Sequence, residues 1–368
     1  MRCMFTGPAP TSARPVFVFG CPRSGTTLLQ LMLHSHPRLA IPAETRFVLP
    51  AYTGRCDFGD LTDRENRLRL AEWITARPET KFADLGLDPA AVTEEIADGP
   101  ATIGSALGIV FRAYARRFDR ARWGDKRPSY SKHVPALLRM FPDAQFVHLV
   151  RDGRDCVASL REMPWYKLDL NHAIAAWREA VDTGRRTSDR LGADAYYELR
   201  YENLVADPEG ELRKLCVFLG EEFDPAMTEP RHIAELTVPP QKKWHSRTRS
   251  AVSSGRVGSW RSRLEPWEIG LAEAAFGDRL TAYGYEPSGM PRPSAALLAK
   301  FAATAAHRRM AHRKADMRER WRRLHEPNPV VSLLGTEADA ASRTPADAAS
   351  GGGPRSVPPG RSDLSPLV

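Results

Sequence analysis

The chain has 368 residues, 42% of them hydrophobic, which is enough for a sizeable core in one large domain or two small ones. Its net charge of +8 suits an anionic partner, and the lack of any helix-turn-helix, zinc-finger or RNP pattern argues against nucleic acid. The five cysteines (Cys3, Cys21, Cys56, Cys156, Cys216) are odd in number and form no C-x-x-C, which excludes a disulfide framework and a zinc site and suits a reducing, cytoplasmic setting.

Residues 1–14, broken by Pro8 and Pro10, lack the apolar core of a signal peptide and read as a flexible leader. No apolar run of roughly 18 residues predicts a membrane span. The β-rich run Val16–Phe19 ends at Gly20, and Gly25 opens a helix with Leu28, Leu29, Met32 and Leu33 on one face. A strand feeding a helix through a glycine loop is an anion site, because the first helical N–H groups point at the loop. The spacing from Gly20 to Gly25 is that of a phosphate loop, but position 26 is Thr where ATP-type loops carry Lys. Backbone N–H groups, the Thr26 and Thr27 hydroxyls and Arg23 are therefore the expected phosphate ligands, with Ser24 and Gly25 in the loop itself.

His34 and His36 follow, before Pro37 stops the helix. They have no sensibly spaced third partner, so no metal is expected; positive charge is favoured at a helix end. The segment Ile41–Phe47 places Glu44 a short distance further on. Leu61–Ile74 and Ile103–Phe118 read as helices in a mixed region laid over the sheet face. In Trp123-Gly124-Asp125-Lys126-Arg127-Pro128, the proline ends any local helix and predicts a loop around Lys126.

Ala144–Val150 is a short apolar run of the kind found in a buried central strand. Arg151 stands at its carboxyl end, where α/β sheets bind ligands, and a guanidinium grips phosphate bidentately. A helix over 153–162 puts Ser159 about two turns along. Further helices are predicted over 171–190 and 209–219, the second closed by Gly220, with a strand over 195–199 between them. Trp267–Tyr283 reads as one helix, and 294–325 as a long, strongly basic helical extension. That extension reads first as a solvated basic face, with peripheral contact to anionic lipid as the alternative. Residues 326–368, rich in Pro, Gly, Ala and Ser, are expected to be a disordered tail.

The words P-R-S-G-T-T at 22–27 and V-R-D-G-R-D at 150–155 resemble the two nucleotide-binding motifs of sulfotransferases that use 3′-phosphoadenosine 5′-phosphosulfate (PAPS), in the form carried by tyrosylprotein and many bacterial members. The resemblance runs in order over about residues 15–285 and implies a P-loop-type three-layer fold, a central parallel sheet flanked by helices, with a catalytic domain over 15–290. It implies PAPS as donor, no metal, and transfer of a sulfuryl group to a hydroxyl of a small-molecule, sugar or lipid acceptor. By that pattern Arg151 and Ser159 hold the 3′-phosphate. Glu44 takes the place of the base in the family's E-E-T-R segment, with Ala43 departing from the first Glu. Lys126 and Arg23 stabilise the departing phosphate oxygens. Tyr201, in Arg200-Tyr201-Glu202-Asn203-Leu204, contacts adenine, and Ser254, Arg256 and Gly258 of the late loop close over the 3′-phosphate. If Glu44 is not the base, His133 and then His148 are the next candidates. Two other readings of the residues stay open: a small-molecule kinase, disfavoured by the missing loop lysine and by the lack of a clear Mg²⁺-holding Asp, and a membrane- or nucleic-acid-binding protein acting through its basic helix.

Overall fold

Alternation within the first strand sets the layers. Phe17 and Phe19 point to one side, Val16 and Val18 to the other, and all four are fully buried. The computed structural model describes residues 12–237 and 253–335; the leader up to 11, the start of the late loop up to 252, and the tail from 336 lie outside the described residues. In chain order the elements are β1 (Val16–Gly20), α1 (Thr26–His34), β2 (Leu39–Ala40), α2 (Val48–Thr53), α3 (Arg64–Ala76), α4 (Pro89–Asp98), α5 (Ile103–Arg117), β3 (Arg122–Lys126), α6 (Val134–Met140), β4 (Gln145–Val150), α7 (Gly153–Arg161), α8 (Leu170–Leu191), β5 (Tyr196–Arg200), α9 (Tyr201–Ala206), α10 (Pro208–Leu219), α11 (Arg231–Thr237), α12 (Pro266–Phe276), α13 (Asp278–Ala282) and α14 (Ala295–His325).

The five strands form one all-parallel sheet in the order β2-β3-β1-β4-β5. This is the three-layer α/β fold expected. On one face Phe17, Phe19 and Phe146 pack under helices α3 to α6, with Trp123 stacked on Phe111 at 4.7 Å. On the other, Val16, Val18, Val147 and Leu149 pack under α1, α9 and α10. A third cluster joins α7, α8, α12 and α14 around Trp177 and Phe276. Burying each large apolar side chain contributes about 1.5–3 kcal/mol, so the sheet is a rigid platform for whatever stands at its strand ends.

Strand order fixes where the site falls. From β1 the chain turns through α1 towards β2 at one edge; from β4 it turns through α7 and α8 towards β5 at the other. The connections diverge between β1 and β4, and the crevice outside the carboxyl ends of two such strands is where open α/β sheets bind ligands. Gly20 and Val150 end these two strands side by side, so the glycine loop and Arg151 meet there.

Three expectations change, and one strand is added that the sequence did not suggest. Lys126 is the last residue of β3 and only 3% exposed, rather than a loop residue. The run from Arg122 to Lys126 hides a strand because its charged side chains are satisfied by hydrogen bonds, not by apolar packing: Arg122 donates to Arg14 O, Leu219 O and Glu221, and Asp125 accepts from Thr45 and Tyr130. The two-residue strand β2 is too short to show in any periodicity. The single helix predicted over 267–283 breaks at Gly277 into α12 and α13. Finally, the chain after α14 stays packed as far as Leu334: the buried Asn328 bonds Leu61 N and Gly59 O, Gly104 N donates to Val330 O, and Ser332 N donates to Met140 O.

Candidate active site

The glycine loop is built by two unusual backbone positions. Arg23 has φ 72° and Gly25 φ 98°, both left-handed, and between them Ser24 N donates to Cys21 O at 3.0 Å. A Cβ on Gly25 would stand 2.6 Å from the Tyr201 ring, so only glycine fits the turn. The loop then enters α1 with no acidic residue in its first turn, leaving its N–H groups and the Thr26 and Thr27 hydroxyls at the carboxyl end of β1. Ser24 Oγ is buried with no hydrogen-bond partner, an acceptor and donor held in the loop as an oxyanion ligand requires.

The second motif meets the first. Asp152 caps α7 by accepting from Arg154 N, which turns the chain so that Ser159 faces the loop. Arg23 Nε donates to Ser159 Oγ at 3.0 Å, and Arg151 Nη1 donates to Arg23 O at 3.2 Å. Arg151 lies over the Tyr201 ring at 4.4 Å, while its carbonyl accepts from the buried Trp177 indole at 2.8 Å. Burial, and then the neighbouring Arg151 charge, lower the pKa of Arg23. Two guanidiniums held side by side in a half-closed crevice suit a multiply charged anion, which would relieve their repulsion and complete their hydrogen bonds.

Asp155 latches the late loop onto this pair, a role the residue pattern did not reveal. Fully buried, it accepts from Gly258 N at 2.9 Å, Ser259 Oγ at 3.0 Å and Trp260 N at 2.8 Å, and lies 3.4 Å from Arg151. Arg151 Nη2 in turn donates to Arg256 O at 2.7 Å, and Ser254 O accepts from Val257 N to form the turn between them. The structure thus brings Arg23, Ser24, Gly25, Arg151, Ser159, Tyr201 and the 254–258 turn to one end of the sheet.

The remaining candidates form a second cluster beside the loop. Lys126 Nζ is 3.4 Å from Thr27 Oγ1 and 3.9 Å from Glu44, and Arg127 Nε is 3.9 Å from the other oxygen of Glu44. Glu44 is 37% exposed in its side chain, open to an incoming molecule. What holds it there is a buried triad: Thr45 Oγ1 donates to Asp125 Oδ2 at 2.8 Å, and the Tyr130 hydroxyl donates to the same oxygen. Burial pushes Asp125 up to about 6 despite these donors and Lys126. Asp125 and Tyr130 were legible only as neighbours of Lys126 in the sequence.

The histidines serve elsewhere. His34 Nδ1 donates to Ile41 O and burial pushes it down to about 4, while His36 Nε2 lies 2.8 Å from Glu222 O. These contacts pin the chain on the way to Glu44. His148 is buried against Tyr196 and Glu198 and stacks on Phe19. His133 stands exposed at the start of α6, with Lys132 and Arg127 its nearest charges.

A strand–loop–helix turn at the switch point of a parallel sheet, with Arg151 at the end of the neighbouring strand, is the arrangement of a P-loop-type α/β fold. The sequence pattern of the Sulfotransferase family matches residues 15–225, more than half of the chain, and the protein belongs to that family. It is similar to the protein-tyrosine sulfotransferase of Drosophila melanogaster, 27% identical over 287 residues covering 75% of this chain, and to protein-tyrosine sulfotransferase 2 of Gallus gallus, 28% identical over 289 residues covering 75% of this chain and 70% of that protein. The chain spans about half (52%) of the Drosophila relative. The sulfotransferase domain from the curacin biosynthetic pathway shares the fold, with a TM-score of 0.51 and 20% identity, over 77% of this chain and all of that one.

Proposed function

We propose that this chain sulfates a hydroxyl group of a small-molecule, sugar or lipid acceptor, with Glu44 as general base. The observation that carries the reading is the position of Glu44 between Lys126 and Arg127, beside Thr27 of the anion loop. Arg151 and Ser159 would anchor the 3′-phosphate of PAPS, with Arg256 and Gly258 closing over it. Tyr201 would meet the adenine, and the loop amides, Ser24 and Thr26 would hold the 5′-phosphate. Two points support the fit: the buried, unpartnered Ser24 Oγ, and the close approach of the Arg23 and Arg151 charges, which lowers the pKa of Arg23.

In the reaction the acceptor oxygen attacks sulfur in line with the bond to the 5′-phosphate oxygen. The new O–S bond forms as that bond breaks, and the electron pair leaves on the phosphate. Glu44 takes the acceptor proton. Lys126, Arg23 and Thr27 would face the oxygens where negative charge grows, which is the arrangement that lowers such a barrier.

A second reading of the acceptor, a tyrosine hydroxyl, is favoured by the names of the relatives. The test is incubation with PAPS and a panel containing a simple phenol, a tyrosine peptide, a glycoside and a long-chain alcohol, followed by mass spectrometry for the gain of one sulfate. Transfer to none of them, or transfer only from ATP in the presence of Mg²⁺, would overturn the proposal and favour a kinase.

A further inference from the structure

Helix α14 has two faces of opposite character. Its inner face is fastened to the body along most of its length. Phe301 and Ala305 are buried. Arg308 donates from Nε and Nη2 to the two oxygens of Glu179, at 2.7 Å each. His312 lies 3.3 Å from Lys132 Nζ, and Glu319 accepts from Tyr52 at 2.5 Å and from Arg55 at 3.1 Å. With these anchors the rotation of the helix about its axis is fixed.

At about 100° per residue, Met310, Met317, Trp321 and Leu324 fall in one narrow stripe opposite that inner face. They are 61%, 63%, 60% and 82% exposed, so the stripe faces water. Cations border it on both sides: Arg313 and Arg320 along one edge, Lys314 and Arg318 along the other, all exposed. The acidic residues of this part of the helix, Asp316 and Glu319, sit on the half turned to the body.

We propose that the outer face of α14 is a docking surface for an anionic lipid bilayer. Met, Trp and Leu side chains would enter the boundary between headgroups and acyl chains, and the flanking arginines and lysine would take the lipid phosphates. Charge selects this occupant. Between 308 and 325 the helix carries eight Lys and Arg (Arg308, Arg309, Arg313, Lys314, Arg318, Arg320, Arg322, Arg323) against two acids, so a second copy of the same face would be repelled. A nucleic acid would meet the cations but leave the apolar stripe in water. A bilayer surface satisfies both sets of side chains at once.

The experiment is co-sedimentation of the full chain with vesicles of phosphatidylcholine alone and with vesicles of equal parts phosphatidylcholine and phosphatidylglycerol. The parent should pellet with the anionic vesicles only, and lose that binding as salt is raised. The double variant Trp321→Ser/Leu324→Ser should bind at least about tenfold more weakly, and so should a variant with Arg313, Lys314, Arg318 and Arg320 all changed to Gln. Both sets lie outside the catalytic cluster, so binding of 3′,5′-ADP should be unchanged, which also shows that the variants fold. Three results would each overturn the proposal: no pelleting of the parent with anionic vesicles, equal pelleting of the parent and the Ser double variant, or pelleting with neutral vesicles as strong as with anionic ones. A dimer in sedimentation velocity that dissociates in the Ser double variant would also overturn it and assign the face to self-association.

Discussion

Arg23 and Ser159 are 136 positions apart, yet the guanidinium of one donates to the hydroxyl of the other at 3.0 Å. That contact joins the glycine loop to helix α7. It places Arg23, whose backbone belongs to the 5′-phosphate loop, against the hydroxyl assigned to the 3′-phosphate. A ligand carrying both phosphates would bridge the same gap.

The first prediction tests that bridge. Arg151→Ala should weaken binding of 3′,5′-ADP by about 2–4 kcal/mol, since it removes a buried charge partner. Ser159→Ala should cost less, about 0.5–1.5 kcal/mol, the worth of one hydrogen bond. Affinity for 5′-AMP should change little in either. Calorimetry that finds equal losses for both ligands would remove Arg151 and Ser159 from the 3′-phosphate.

The latch on the late loop gives a second. Asp155 is the common acceptor for Gly258, Ser259 and Trp260 and stands beside Arg151. Asp155→Ala leaves three donors and a guanidinium without it, a loss of about 3–5 kcal/mol for a buried charge stripped of its partner. Trypsin should then cut faster after Arg256 or Arg261, and 3′,5′-ADP should bind more weakly. Unchanged cleavage and unchanged affinity together would show that the loop is held by something else.

The third concerns turnover. Glu44→Gln keeps size and polarity but takes no proton, and should lower kcat by about 10²–10⁴-fold. Lys126→Ala should lower it by about 10²–10³-fold through lost charge stabilisation. Donor affinity should hold in the Glu44 variant, whose side chain faces the open side of the cluster. Wild-type turnover by Glu44→Gln on a sulfated acceptor would move the base elsewhere, with His133 the next residue to test.

What could be read from the sequence was whatever local chemistry dictates. The P-R-S-G-T-T turn needs a left-handed glycine and a following helix, and V-R-D-G-R-D needs a strand end and a cap, so both were legible with their elements. The strand carrying Lys126 was not, because Arg122 and Asp125 are buried largely through partners far away in the chain, such as Glu221 and Thr45, and no local pattern encodes those. The packed run after α14 was hidden for the same reason: Glu326 and Asn328 are held by Arg55, Arg139 and Leu61, all distant in sequence. Asp155 showed as an acid in a helix start, but its role depends on a loop 103 residues on.

The last prediction follows from Asp125, the carboxyl that fastens Thr45, and with it Glu44, to the end of β3. Burial raises its pKa from 3.8 to about 6, so the folded protein resists ionising it. Well below pH 3.8 the group is protonated whether the chain is folded or not, and it has no effect on stability. Between about 4 and 6 the unfolded chain gives up the proton while the folded one keeps it. The folded state then binds more protons, and stability falls as pH rises. Above 6 the whole cost remains, on the order of 3 kcal/mol at about 1.4 kcal/mol per pH unit. Asp125→Asn removes the ionisation, and its amide oxygen can still accept from Thr45 and Tyr130. Urea midpoints measured from pH 4 to pH 7 should therefore move in favour of the Asn variant, relative to the parent, as pH rises to 6, and run parallel above it. Parallel profiles over the whole range would show that Asp125 ionises as readily in the folded protein as in the unfolded chain, and that the tie to Thr45 is held by a fully charged carboxylate.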